Sequence, residues 1–254
     1  MTGDPVERGA GRSEPLFNVP SSVVVLLATL VLVHAVRAVL PEDLDNWVVL
    51  AGAFIPSRLT GAAALLPGGE PAIATSFVTH MLLHGNLTHL MFNALWLLAF
   101  GGAVALRIGT ARFLAFTLFT GLVAVLAFLA SSWGDTIPMI GASGAVAGLM
   151  GGTMRFLFSA MDDGGLWRLR EVPRSVRLMP LGVALRDRRV LLSTAFLVGI
   201  NLIASTGWGV PGESGGGIAW QAHLGGYFAG LLGFGLFDLK APRRPDLRVV
   251  PTIH

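Results

Sequence analysis

The chain contains no cysteine, which excludes disulfides, thiolate metal sites and cysteine nucleophiles. Charge is scarce too: 13% of its 254 residues are Asp, Glu, Lys or Arg, where a soluble domain carries about 25%. Lysine occurs once, at Lys240, and tyrosine once, at Tyr227. What fills the chain instead is apolar: 53% of residues are hydrophobic and the mean hydropathy is +0.69. This predicts an all-α integral membrane protein with several spans, not a soluble domain on a single anchor. The net charge of +3 is too small to call for nucleic acid.

Apolar runs of about 20 residues cross a bilayer core, and six are expected: about 20–40, 84–106, 111–133, 137–159, 190–206 and 219–239. Residues 1–18 are polar and Gly/Pro-rich with no apolar run before them, which reads as a disordered tail without a signal peptide. Residues 41–79 open acidic, turn apolar and are broken by Pro56, Pro67-Gly68-Gly69 and Pro71. They read as a long interfacial loop. His34 and Arg37 close the first run, where long side chains snorkel to the interface. A basic loop is expected at 160–189, a Gly-rich connection at 207–218 and a polar tail at 241–254. Residues 19–240 then form one six-span domain.

The distribution of positive charge orients these spans. Of the 18 basic residues, sixteen fall in the two tails, the 2–3 turn (Arg107, Arg112) and the 4–5 segment from Arg155 to Arg189; only Arg37 and Arg58 do not. Both termini are therefore expected in the cytoplasm. The 1–2, 3–4 and 5–6 connections then face outward.

That orientation puts several polar groups at one depth, below the outer surface. Ser143 opens span 4 within Gly141-Ala142-Ser143-Gly144, His223 opens span 6, and His89 and Asn93 lie in span 2. Polar side chains at membrane depth are costly and are functional candidates by default. A serine needs an adjacent base to act as a nucleophile, and His223 is the histidine available. No Asp or Glu stands between Asp135 and Asp162 or between Glu213 and Asp238, so a Ser143–His223 dyad without a carboxylate is expected. The amide attack creates an oxyanion. Backbone N–H groups at the Ser143 helix start have no helical partner, and His89 and Asn93, four apart, share a helix face; these are the expected donors. Close approach of spans 4 and 6 is expected through Gly144, Gly148 and Gly152 facing Ala222, Gly226 and Gly230, two small-residue stripes. Asn201 in span 5 reads as a helix–helix hydrogen bonder, and Trp96, Trp208 and Trp220 as packing or belt residues.

Taken together, His84-x-x-x-x-His89-x-x-x-Asn93, Gly141-Ala142-Ser143-Gly144 and Ala222-His223-Leu224-Gly225-Gly226 with Gly230 resemble the rhomboid family of intramembrane serine proteases. The resemblance covers roughly residues 20–240, in the order of the six-helix bacterial form. It implies a Ser143–His223 dyad, an oxyanion site of His89, Asn93 and the Ser143 backbone, and a cavity open to the outer aqueous phase. It implies substrates that are single-span membrane proteins, cut in or near the span, and a place in the bacterial inner membrane with both termini cytoplasmic. It implies no cofactor, no metal and no nucleic-acid partner; transmembrane protein substrates and the lipid bilayer are the partners. Two features depart from the family pattern. Ala147 stands where many members carry a Tyr packed under the histidine, a space that Tyr227 partly fills. Thr75-Ser76 stand near the place of a Trp-Arg pair.

Other readings meet specific objections. A Gly-x-Ser-Gly element alone is a packing motif as readily as a nucleophile. A metal site on His80, His84 and His89 lacks a nearby acid and a His-Glu-x-x-His element. A transporter would need a polar path through the bilayer, and spans 2, 3 and 5 carry no acidic residue. A pseudoprotease that binds spans without cutting them would have less reason to keep Ser143 and His223. Span 5 with the Gly-rich connection is the expected gate, since such segments hinge easily.

Overall fold

Backbone groups away from water must pair within their own segment, which makes helices the way for an apolar chain to cross a membrane. The computed structural model describes residues 19–206 and 218–238, and these are mostly helical with no strand. The tails expected at 1–18 and 241–254, Trp208 and all but the last residue of the Gly-rich connection expected at 207–218 lie outside the described residues.

Helix α1 is Ser21–Arg37, α2 Glu42–Gly52, α3 Pro71–Thr79 and α4 Leu87–Trp96. A π-helical turn, Leu97–Gly101, joins α4 to α5, Gly102–Ile108, and α6 is Thr110–Ser131. Helix α7 is Ser143–Asp162, α8 Arg168–Glu171 and α9 Leu181–Ala184. Helix α10 is Arg188–Ser205 and α11 Trp220–Gly233. Three stretches among the described residues are long and apolar enough to cross a membrane: Leu87–Ile108, Thr110–Ser131 and Arg188–Ser205. The other expected spans are helical at α1, α7 and α11 but fall outside that criterion.

Two stretches differ from their sequence reading. Residues 41–79 are a chain of short helices, not a loop. Two of their prolines, Pro56 and Pro71, sit in the first turn of a helix, where the missing N–H costs nothing. Glycines at positive φ, Gly61, Gly68 and Gly69, make the corners between them. Residues 137–142, expected inside span 4, are non-helical: Met139 pairs with Phe54 in an isolated antiparallel bridge (N···O 2.9 and 3.0 Å), and the helix starts only at Ser143.

Several arginines counted as interfacial or loop charges are buried ties. Arg37 is tied within the protein: its guanidinium clasps both Asp45 oxygens (2.7 and 3.1 Å) and donates to the His84 carbonyl (2.8 Å), pinning the end of α1 to the approach to α4. Arg155 lies inside α7, 4% exposed, and donates to the carbonyls of Met179 and Leu231. Arg107, 6% exposed, clasps Asp238 and donates to the carbonyls of Pro173 and Val176. A buried charge persists only with partners of this kind. At the opposite end of α7 from Ser143, Arg189 bridges Asp162 and Asp187 and holds both carboxyls below the usual carboxylate range.

Helices α6, α7 and α11 meet at backbone distance. A side chain on Gly226 would fall on the carbonyl of Gly144, and one on Gly230 on the carbonyl of Gly148. From α7, Gly144 and Gly148 turn their α-hydrogens toward Ala124 and Thr120 of α6. Gly151, absent from the expected stripe, abuts the Tyr227 carbonyl of α11, whereas Gly152 faces the rings of Phe234 and Phe116. This contact fixes the register between the start of α7 and the start of α11.

Candidate active site

The site begins with the chain path into α7. The bridge from Met139 to Phe54 anchors the chain ahead of the helix, and the Gly141 N–H donates to the His80 carbonyl (2.8 Å). Gly141 has φ +117°, a conformation that suits glycine, and the chain turns there into the helix. Ala142 provides no side-chain cap, so Ser143 is the first residue of a helix whose leading N–H groups have no partner one turn back.

Packing of α7 on α11 brings His223 to this point. His223 Nε2 lies 2.7 Å from Ser143 Oγ, and His223 Nδ1 lies 2.7 Å from Asn201 Oδ1 on α10. Asn201 Nδ2 donates to the Leu197 carbonyl at 2.9 Å. A carbonyl only accepts, so this bond fixes which way the amide faces and leaves Oδ1 toward the ring. Nδ1 therefore carries the proton and Nε2 is the acceptor, facing the serine hydroxyl.

Helix α4 supplies the other polar groups. The Asn86 side chain caps it by accepting from the His89 N–H (2.8 Å). Asn93, 4% exposed, donates to the His89 carbonyl at 2.9 Å, and its second N–H is free to serve another acceptor. A Cβ built on Gly141 would stand 2.7 Å from His89 Nε2 and 3.7 Å from Ser143 Oγ. The space above Gly141 is thus a cradle that glycine alone leaves open, with an imidazole nitrogen on one side and the hydroxyl on the other.

These groups line a cavity of about 1140 Å³. Its polar wall carries Ser143, His223, His89, Asn93 and Asn201; Trp96, Phe100, Met150, Met154, Phe196 and Ile200 line its apolar side. Chemically, a hydroxyl bonded to an imidazole with its far nitrogen anchored can transfer a proton as it attacks. N–H donors nearby can meet negative charge.

The structure thus gathers the four expected residues, Ser143, His223, His89 and Asn93, around one cavity. It also brings in Asn201, expected as a helix–helix hydrogen bonder, whose particular partner, the histidine ring, the sequence reading did not identify. Tyr227 packs in one cluster with Ala147, and its hydroxyl bonds Thr194 Oγ1 at 2.7 Å. Of the three histidines weighed as a metal site, His80 donates Nδ1–H to the Ser76 carbonyl (2.8 Å), and the rings of His84 and His89 meet edge to face, 5.1 Å apart. Among the described residues no group of three or more His, Asp or Glu side chains could hold a metal ion.

Comparison with known proteins bears on this geometry. The family profile described as Rhomboid domain matches residues 72–238, a stretch that holds every group named at the cavity. The chain is also similar to the rhomboid protease GlpG of Pectobacterium atrosepticum, 31% identical over 117 residues. That match takes in 44% of this chain and 41% of the relative's length.

Proposed function

The chain belongs to the rhomboid family, and on that premise we propose that this multi-pass membrane protein is a serine endopeptidase that cleaves other membrane proteins in or near their spans. The observation that carries the reading is the 2.7 Å bond from Ser143 Oγ to a histidine nitrogen at the wall of a large, mostly apolar cavity. An apolar cavity between helices suits a substrate segment that is itself apolar. Single-span membrane proteins are the substrate class.

In the proposed reaction Ser143 Oγ adds to the peptide carbonyl as its proton passes to His223 Nε2. The Ser143 N–H, His89 Nε2–H and Asn93 Nδ2–H donate to the oxygen that becomes negative. His223 returns the proton to the leaving amine, and the peptide C–N bond breaks to give an acyl-serine. Water, deprotonated by the same nitrogen, then releases the acid and restores the hydroxyl. Donors placed before the charge develops cost no reorganisation at the moment of reaction.

The architecture that goes with this activity is a six-span bundle over residues 19–240, with α1, α7 and α11 spanning beside the three longer apolar stretches. Both termini lie in the cytoplasm and the cavity opens to the outer side of a bacterial inner membrane. The position of basic residues supports that orientation, although the buried Arg107 and Arg155 belong to the bundle's interior.

The test is fluorophosphonate labelling of purified protein. Wild type is expected to label, and Ser143→Ala and His223→Ala are expected to stay unlabelled while unfolding at the wild-type temperature. Labelling of Ser143→Ala, or folded wild type that neither labels nor cuts a transmembrane reporter, refutes the assignment; the second result leaves a protein that binds spans without cleaving them.

A further inference from the structure

The far side of the histidine ring carries more than a dyad needs. Asn201 is 3% exposed, and it is one of two buried residues on α10, the other being Val190. Its amide cannot turn without losing the Leu197 carbonyl. A second polar bond joins the same two helices: Thr194 Oγ1 lies 2.7 Å from the Tyr227 hydroxyl. Thr194 and Asn201 are seven apart on α10, and Tyr227 and His223 are four apart on α11, so each pair shares a face. The two bonds form rungs of one seam. Most other large apolar side chains of α10 are exposed: Leu191, Leu202 and Ile203, and Leu192, Phe196 and Ile200, which line the cavity.

We infer that Asn201 is a positioning residue for the proposed reaction: from α10 it holds the His223 ring with Nδ1–H engaged, so that Nε2 faces Ser143 as the proton acceptor. This inference rests on Ser143 being the nucleophile. An imidazole has two neutral tautomers, and only the one protonated at Nδ1 can accept the serine proton at Nε2. With no carboxylate among the described residues bonded to the ring, the amide oxygen does the orienting without adding charge. The arrangement also ties the base to a helix that buries little else. Where α10 leaves α11, Nδ1 loses its acceptor, and the ring is free to turn from the serine or exchange its proton. Competence of the base is thereby linked to the docking of α10.

The experiment measures the rate of fluorophosphonate labelling against pH for the full-length wild type, Asn201→Ala and Asn201→Asp. Thermal unfolding of each is followed in the same detergent. Asn201→Ala is expected to label about 10- to 100-fold more slowly. Asn201→Asp still accepts from Nδ1–H and is expected to recover most of that loss. Its acid limb is expected to move to higher pH, because a carboxylate facing the ring favours the imidazolium. His89 on α4 and Asp135, the other titratable groups that line the cavity with His223 and His80, are common to all three proteins and drop out of the comparison. A merely structural asparagine would not shift the limb. An Asn201→Ala protein with the wild-type rate and profile overturns the inference. Should Asn201→Ala not fold, an unshifted limb in Asn201→Asp overturns it. Tautomer assignment by ¹⁵N NMR on histidine-labelled wild type is independent of activity: a proton on Nε2 overturns the inference, and one on Nδ1 supports it even if labelling fails and the nucleophile assignment falls.

Discussion

Gly226→Ala places one methyl where α7 and α11 touch, and its consequence follows from the geometry. The added carbon would fall on the Gly144 carbonyl, well inside the 3.0 Å below which real Cβ atoms essentially never come to another atom. The obstacle is backbone on both sides, so no side chain can rotate away. The helices must part by about 1 Å, a misplacement that costs on the order of 10²-fold in rate when it separates reacting groups. Gly226 lies three residues after His223 and Gly144 one after Ser143, so the parting opens the Ser143–His223 pair directly. Starting from 2.7 Å, a further ~1 Å exceeds hydrogen-bond length. Overpacking of this kind costs about 1–3 kcal/mol of stability. The assay is the fluorophosphonate rate constant beside thermal unfolding. Gly199→Ala is the control: a Cβ there meets nothing within 4 Å, so it is expected to label normally and to gain about 0.5–1 kcal/mol from helix entropy. Gly226→Ala labelling at the wild-type rate would refute the claim that this backbone contact sets the register of the site.

Two further outcomes are expected. Asn93→Ala removes one proposed oxyanion donor and is expected to lower cleavage by about 10²–10³-fold or less, with unfolding near wild type; turnover unchanged in a peptide-cleavage assay would remove Asn93 from the site. Asp162 and Asp187 titrate below the ordinary carboxylate range because Arg189 bonds both, so what they add to stability is complete above about pH 4 and is lost as pH falls through their depressed values. The melting difference between wild type and Arg189→Gln should hold constant from neutral pH to about 4 and shrink below it; a difference that grows in acid contradicts the sign.

Much of this arrangement was legible because apolar runs and polar interruptions are local signals. Runs expected at 111–133 and 190–206 fall on Thr110–Ser131 and Arg188–Ser205, since length and composition decide where such helices stop. The cavity residues could be picked out because a histidine or serine stands out in an apolar stretch. What failed depended on partners far along the chain. Nothing near Asn201 says that its acceptor faces a ring 22 residues on. Arg155 counted as a loop charge because the carbonyls that satisfy it belong to Met179 and Leu231. The glycine stripe was read at a spacing of four throughout, yet the contact with α11 passes through Gly144, Gly148 and then Gly151. A helix of 3.6 residues per turn drifts off a strict four-residue stripe within two turns. Residues 41–79 misled because proline and glycine were taken as breaks in structure, where here they mark the starts and corners of short helices.

The grip of Arg107 on Asp238 spans 131 residues of chain. On a ribosome, Arg107 leaves the exit tunnel long before its counter-ion has been made, and Ser143 likewise precedes His223 by 80 residues. Helices α6 and α7, adjacent in the chain and already matched at Gly148 and Thr120, can pair as soon as both are inserted. The hydroxyl then waits unpartnered until α11 arrives. A growing chain of this protein thus carries the proposed nucleophile through 80 residues of synthesis before the proposed base is made.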